Sequence, residues 1–63
     1  MKVRAEALKV GDVVGSGERV EMVSILAYPM NSKLVRVVLV KNGRTRVADW
    51  QRKTEIGVKR DGN

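Results

Sequence analysis

Apolar residues recur along this chain at strand spacing rather than helix spacing. The clearest stretch is Leu34-Val35-Arg36-Val37-Val38-Leu39-Val40, followed by Lys41-Asn42-Gly43 and a second arm, Arg44-Thr45-Arg46-Val47-Ala48-Asp49-Trp50. β-branched residues favour a pleated surface, and Asn-Gly between two such arms is the strongest short-range hairpin signal. Upstream, Leu8-Lys9-Val10-Gly11-Asp12-Val13-Val14 reads as a Gly-Asp turn feeding a strand, and Gly15-Ser16-Gly17-Glu18 as a second turn. Arg19 to Ala27 predicts a strand whose phase slips, with Val20 and Met22 on one side and Val23, Ile25 and Ala27 on the other. A bulge near Met22-Val23 accounts for the slip. Val3 to Leu8 fits a strand or one helical turn, with a strand favoured for Lys2 to Ala5. Tyr28 to Lys33, with its proline, predicts a loop. Trp50 to Glu55 predicts a polar connection with a turn of 3₁₀ helix, Ile56 to Lys59 a last short strand, and Arg60 to Asn63 a frayed tail.

The expected fold is all-β: five short strands with turns between them, forming a single small barrel over residues 1–63 whose closure removes exposed edges. The main hairpin has two candidate registers. A two-residue type I′ loop sets Lys41 against Arg44, like charge opposite like charge. A three-residue loop, Lys41-Asn42-Gly43 with Gly43 left-handed, sets Val40 against Arg44, Leu39 against Thr45 and Val37 against Val47. The second register puts Val35, Val37, Leu39, Thr45 and Val47 on one face and Arg36, Val38, Val40, Arg44 and Arg46 on the other. Because register normally follows the separation of core from charge, the bulged turn is the expectation.

Composition narrows the function classes. There is no cysteine and no histidine, so no disulfide, no ordinary zinc site, and neither the usual general base nor a thiol nucleophile. The seven acids are scattered singly, and Gly15-Ser16-Gly17 lacks the length and following lysine of a phosphate-cradling loop. The expectation is a non-enzyme without cofactor or metal. Met1-Lys2-Val3-Arg4 runs into Ala5-Glu6 rather than an apolar stretch, and no segment reaches the ~20 apolar residues of a membrane span. A cytoplasmic, membrane-free protein is therefore expected.

Thirteen basic residues against seven acidic ones leave a net charge of +6. Such a balance in a small domain points towards nucleic acid, since neutralised phosphates release counterions. The candidate contacts are Arg36, Arg44 and Arg46 on the hairpin, with Arg52 and Lys53 just beyond it, since a guanidinium offers forked donors to phosphate oxygens. Edge protection is the plainer account of the same charges. Trp50 is a candidate for base stacking, although plugging a valine core that lacks phenylalanine is the better reading of it.

Leu8-Lys9-Val10-Gly11-Asp12-Val13-Val14, a glycine turn and then Arg19-Val20 resemble the opening hairpin of SH3-like small barrels, including KOW-type modules. The resemblance implies a five-stranded SH3-like barrel with a short turn before its last strand, and RNA binding or a place in transcription and translation complexes. The aromatic surface of peptide-binding SH3 domains has no counterpart here, where Tyr28 and Trp50 are the only aromatics. The leading expectation is a non-catalytic domain binding DNA or RNA through hairpin arginines. Its rival starts from Leu34, Val38 and Val40, apolar side chains among the arginines that require a cover. It is a homodimer or protein-interaction module, an adaptor, inhibitor or accessory protein of the kind that phages and other mobile genomes encode.

Overall fold

The computed structural model describes residues 1–25 and 33–60. Strands run over Lys2–Arg4 (β1), Val13–Val14 (β2), Arg19–Ile25 (β3), Leu34–Lys41 (β4), Arg44–Gln51 (β5) and Glu55–Lys59 (β6), with a 3₁₀ turn over Ala5–Ala7. The chain is all-β. There are six strands rather than five, in one antiparallel sheet of order β1-β6-β2-β3-β4-β5. The sheet is open: no pairing joins β1 to β5 among the described residues. The opening segment is both of its alternatives in succession, strand and then 3₁₀ turn. The connection at residues 52–54 is a plain turn, closed by the Thr54 amide on the Gln51 carbonyl at 3.0 Å. Residues 26–32, which hold most of the expected Tyr28 to Lys33 loop, and the end of the expected tail, 61–63, lie outside the described residues.

The core gathers the alternating positions. Val35, Val37 and Leu39 of β4 are fully buried with Val20 of β3 and Ala5, and Leu8, Val14 and Val58 complete the cluster. The predicted bulge exists, lying between Val20 and Met22, one residue earlier than expected. It keeps Val20 opposite Leu39 and Val23 opposite Val37, both on the core side, and sends Met22 outward opposite Val38.

The register of the main hairpin corrects the sequence reading. Lys41 pairs with Arg44, Val40 with Thr45, Leu39 with Arg46, Val38 with Val47 and Val37 with Ala48. The loop has two residues, Asn42 at φ 52° and Gly43 at φ 76°, both left-handed as a type I′ turn requires. Two effects outweigh the charge pattern. A type I′ turn matches the twist of the flanking strands. This register also turns Trp50 and Ala48 onto Val35 and Val37, burying more apolar surface than Val47 would. Val47 is left 57% exposed. The Lys41–Arg44 repulsion is relieved because Lys41 reaches away to donate its Nζ to the Ser16 carbonyl at 2.7 Å.

The bulged three-residue geometry occurs instead in the β2–β3 turn. There the Gly17 amide donates to the Val14 carbonyl at 2.8 Å, the Val14 amide to the Glu18 carbonyl at 2.9 Å, and Gly17 is left-handed at φ 88°.

Candidate nucleic-acid interface

The three hairpin arginines do not share a face. Arg36 lies on the outer face of β4 and grips Asp49, its cross-strand neighbour, with Nε and Nη2 at 2.9 and 3.1 Å. Arg44 and Arg46 point to the opposite side, being paired with Lys41 and Leu39. Arg46 reaches across the hairpin tip to Glu18, Nε and Nη2 at 2.7 and 2.8 Å, and Ser16 Oγ donates to the same carboxylate at 2.6 Å. These donors, Arg46 first and then Ser16, hold the Glu18 carboxyl at about 2. The Arg36 hydrogen bonds hold Asp49 below its ordinary value in the same way. Two of the three arginines thus already have an anion, and Arg44 is the exposed one without an acidic partner among the described residues.

Lys41, Arg44 and Arg46 line a shallow hollow of about 690 Å³ at the hairpin tip, with Ser16 and Glu18 on its other wall. At the far end of the same hairpin, the Arg52 amide donates to the Lys33 carbonyl at 2.7 Å, which sets Arg52 and Lys53 beside Lys33. The Arg52 carbonyl accepts the Glu6 amide at 3.1 Å, so the 3₁₀ turn fixes this corner from behind. Arg52 is half-buried, and its Nε is sequestered with no hydrogen-bond partner. Trp50 is half-buried against the core, one strand position from this corner.

Of the apolar candidates, Val38 belongs to a row. Met22, Val38 and Val47 are cross-strand neighbours on the outer face of β3, β4 and β5, with Met22 55% exposed. Val38 and Val40 are half-buried and Leu34 is exposed at the strand end.

Asp12 is a functional-looking group that sequence reasoning placed among turn or solvated charges. Its carboxylate is buried, accepts the Lys9 amide at 2.9 Å, and takes Arg60 Nε and Nη2 at 2.8 and 3.2 Å. Burial, the largest single influence, pushes its pKa up, but the Arg60 and Lys9 hydrogen bonds and charges together bring it below the ordinary value. Arg60 also donates to the Ala7 carbonyl at 2.9 Å, so it is a clamp rather than the start of a frayed tail. The Lys9-to-Asp12 spacing hints at a side-chain-capped turn. Arg60, 48 positions away, is brought there only by the β2–β6 pairing.

No group of three or more potential metal-ligating side chains occurs among the described residues, and none of their helices is long and apolar enough to cross a membrane. No family model, curated protein or solved structure matches this chain.

Proposed function

We propose that this protein is a non-catalytic nucleic-acid-binding domain whose phosphate contacts lie at the two ends of the β4–β5 hairpin. The supporting observation is the distribution of unpaired charge. Of thirteen basic residues, Arg4, Arg36, Arg46 and Arg60 are in ion pairs with described acids, which leaves nine without one among the described residues, whereas Glu21 and Glu55 are the only described acids outside such pairs. Lys41 and Arg44 cluster at the tip, with Arg19 opposite Val40 nearby, and Lys33, Arg52 and Lys53 cluster at the base. The KOW-type, SH3-like resemblance of residues 8–20 supports the same reading.

Titration against single- and double-stranded DNA and RNA at two salt concentrations tests it. With ~4 phosphate contacts, log affinity falls against log salt with a slope near −3 to −4. Absence of binding at low salt overturns the proposal. It would promote the second reading, a protein-binding or self-associating surface, which the Met22–Val38–Val47 row, exposed at Met22 and Val47, favours.

A further inference from the structure

We infer that the free edge of β5 pairs with the same edge of a second copy of this chain, antiparallel and centred on Val47, so that two sheets become one. The inference goes beyond the nucleic-acid reading and does not depend on it. β5 is the outermost strand on its side of the sheet, eight residues long, free of proline and paired with β4 without a bulge. It thus lacks most of the devices that blunt an edge, whereas β1 at the other edge is only three residues long. The phase of the hairpin ladder fixes which backbone groups β5 leaves open. Lys41 and Arg44 flank a type I′ loop and so exchange hydrogen bonds, and the Arg52 amide on the Lys33 carbonyl at 2.7 Å continues that phase at the base. The even-numbered residues of β5 therefore bond to β4, and Thr45, Val47 and Asp49 turn their amides and carbonyls outward. All three residues are exposed, and no described turn or loop hydrogen bond takes up those groups.

The charges on β5 discourage edge pairing in every symmetric register but one. A two-fold axis at Thr45 sets Arg44 against Arg46, and one at Arg46 sets that residue against itself. An axis at Ala48 sets Arg44 against Arg52, and one at Asp49 sets two aspartates face to face; like charges directly opposite are unfavourable. An axis at Val47 has no such pair. It sets Val47 against Val47, Thr45 against Asp49, Arg46 against Ala48, and Arg44 against Trp50, whose exposed side can take the guanidinium over its ring. In that register the outward groups of Thr45, Val47 and Asp49 meet their counterparts and complete the ladder. The apolar row on the outer face then continues across the axis, running Met22, Val38, Val47 and on through the second copy's Val47, Val38 and Met22. Val47, 57% exposed in the single chain, loses that exposure at the centre of the seam. The same patch serves both copies, as a closed two-fold dimer requires. The seam is short, so the dimer is of modest affinity and grows in as concentration rises.

Sedimentation equilibrium of the full chain over a wide concentration series, without nucleic acid, tests the pairing. The mass is expected to rise from monomer towards dimer. Val47→Lys, at an exposed position, sets two ammonium groups against each other at the axis and keeps the protein monomeric with an unchanged circular dichroism spectrum. Val38→Lys, on the neighbouring strand, leaves the dimer in place. Because the chain has no cysteine, single-cysteine variants read the register directly. Hydrogen-bonded partners across an antiparallel seam lie ~5.5 Å apart at Cα, within disulfide reach, so Val47→Cys cross-links on mild oxidation. Two copies of Thr45→Cys stand four strand positions apart, roughly 14 Å, and cross-link at least about tenfold more slowly. A monomer at every concentration overturns the inference, as does a dimer that survives Val47→Lys or is lost in Val38→Lys. Equal cross-linking of the two cysteine variants overturns it too, and that comparison decides the matter even where Val47→Lys fails to fold. None of these outcomes bears on oligonucleotide binding, which the salt titration tests separately.

Discussion

Asn42 and Gly43 show how a local backbone requirement overrides a charge pattern. Both sit at positive φ, and a Cβ at Gly43 would meet nothing within 4 Å, so the cost of substitution there is conformational rather than steric. Gly43→Val is expected to destabilise by roughly 1–3 kcal/mol, and Gly43→Asn by clearly less, because asparagine tolerates the left-handed region. Thermal melts that rank the two equally would contradict a type I′ loop. Asp12 carries a larger stake. Asp12→Ala strands a partly buried Arg60 and removes the acceptor of the Lys9 amide, so a loss of about 2–4 kcal/mol is expected in denaturant unfolding. The carboxyls also set an acid limit. Glu18 is held at about 2 against an ordinary 4.5, and Asp12 lies below its ordinary value of 3.8. Groups with depressed folded-state pKa contribute fully above their unfolded values and lose that contribution as pH falls towards the folded ones. Stability should therefore decline between about pH 4.5 and 2. In Glu18→Gln that decline is shallower, which a pH series of melting temperatures would show.

At the scale of elements, the bulge in β3 and the two faces of β4 decide what is core. The core side of β4 holds Val35, Val37 and Leu39, and the outer side holds Arg36, Val38 and Val40. Val37→Lys is expected to abolish folding, since it places a charge at a fully buried site. Val38→Lys should leave a folded domain, changed by less than about 1 kcal/mol. Circular dichroism distinguishes these outcomes, and unfolding of Val38→Lys would place its side chain in the core. Sedimentation of the same variant addresses the rival function. A wild-type dimer that becomes a folded monomer would make the outer row an interface. The long edge strand β5 bears Arg44, Arg46 and Asp49, charges of the kind that discourage edge-to-edge pairing.

For the molecule as a whole, its charge decides more than its size. Thirteen basic residues on a domain measuring 34 × 24 × 15 Å put cations without a described acidic partner at both ends of a hairpin whose arms are eight residues each. At ~3.4 Å per residue those ends stand roughly 24 Å apart. Arg44→Ala and Lys53→Ala, one at each end, should each weaken oligonucleotide binding and flatten the salt slope by about one. Arg46→Ala tests something different, since it also strips Glu18 of its partner. A slope unaffected by either end variant would mean that the contacts lie elsewhere on the surface.

The all-β class, the positions of three turns and the existence of the bulge were legible in the sequence because each rests on neighbouring residues. Gly11-Asp12, Gly15-Ser16-Gly17 and Asn42-Gly43 carry their own turn chemistry, and the phase slip between Met22 and Val23 marks the bulge to within one residue. Candidate cations were equally readable, since charge is a property of composition. Which of them are free was not, because ion pairing depends on strands meeting across the sheet. Arg36 finds Asp49 through β4–β5 pairing, Arg46 finds Glu18 through β3–β4 and β4–β5 pairing together, and Arg60 finds Asp12 through β2–β6 pairing. The register of the main hairpin also waited on tertiary packing: local charge separation favoured one register, and burial of Trp50 and Ala48 against Val35 and Val37 selected the other. The buried, unpartnered Nε of Arg52 belongs to the same category, since the burial of a single side-chain atom is set by tertiary packing.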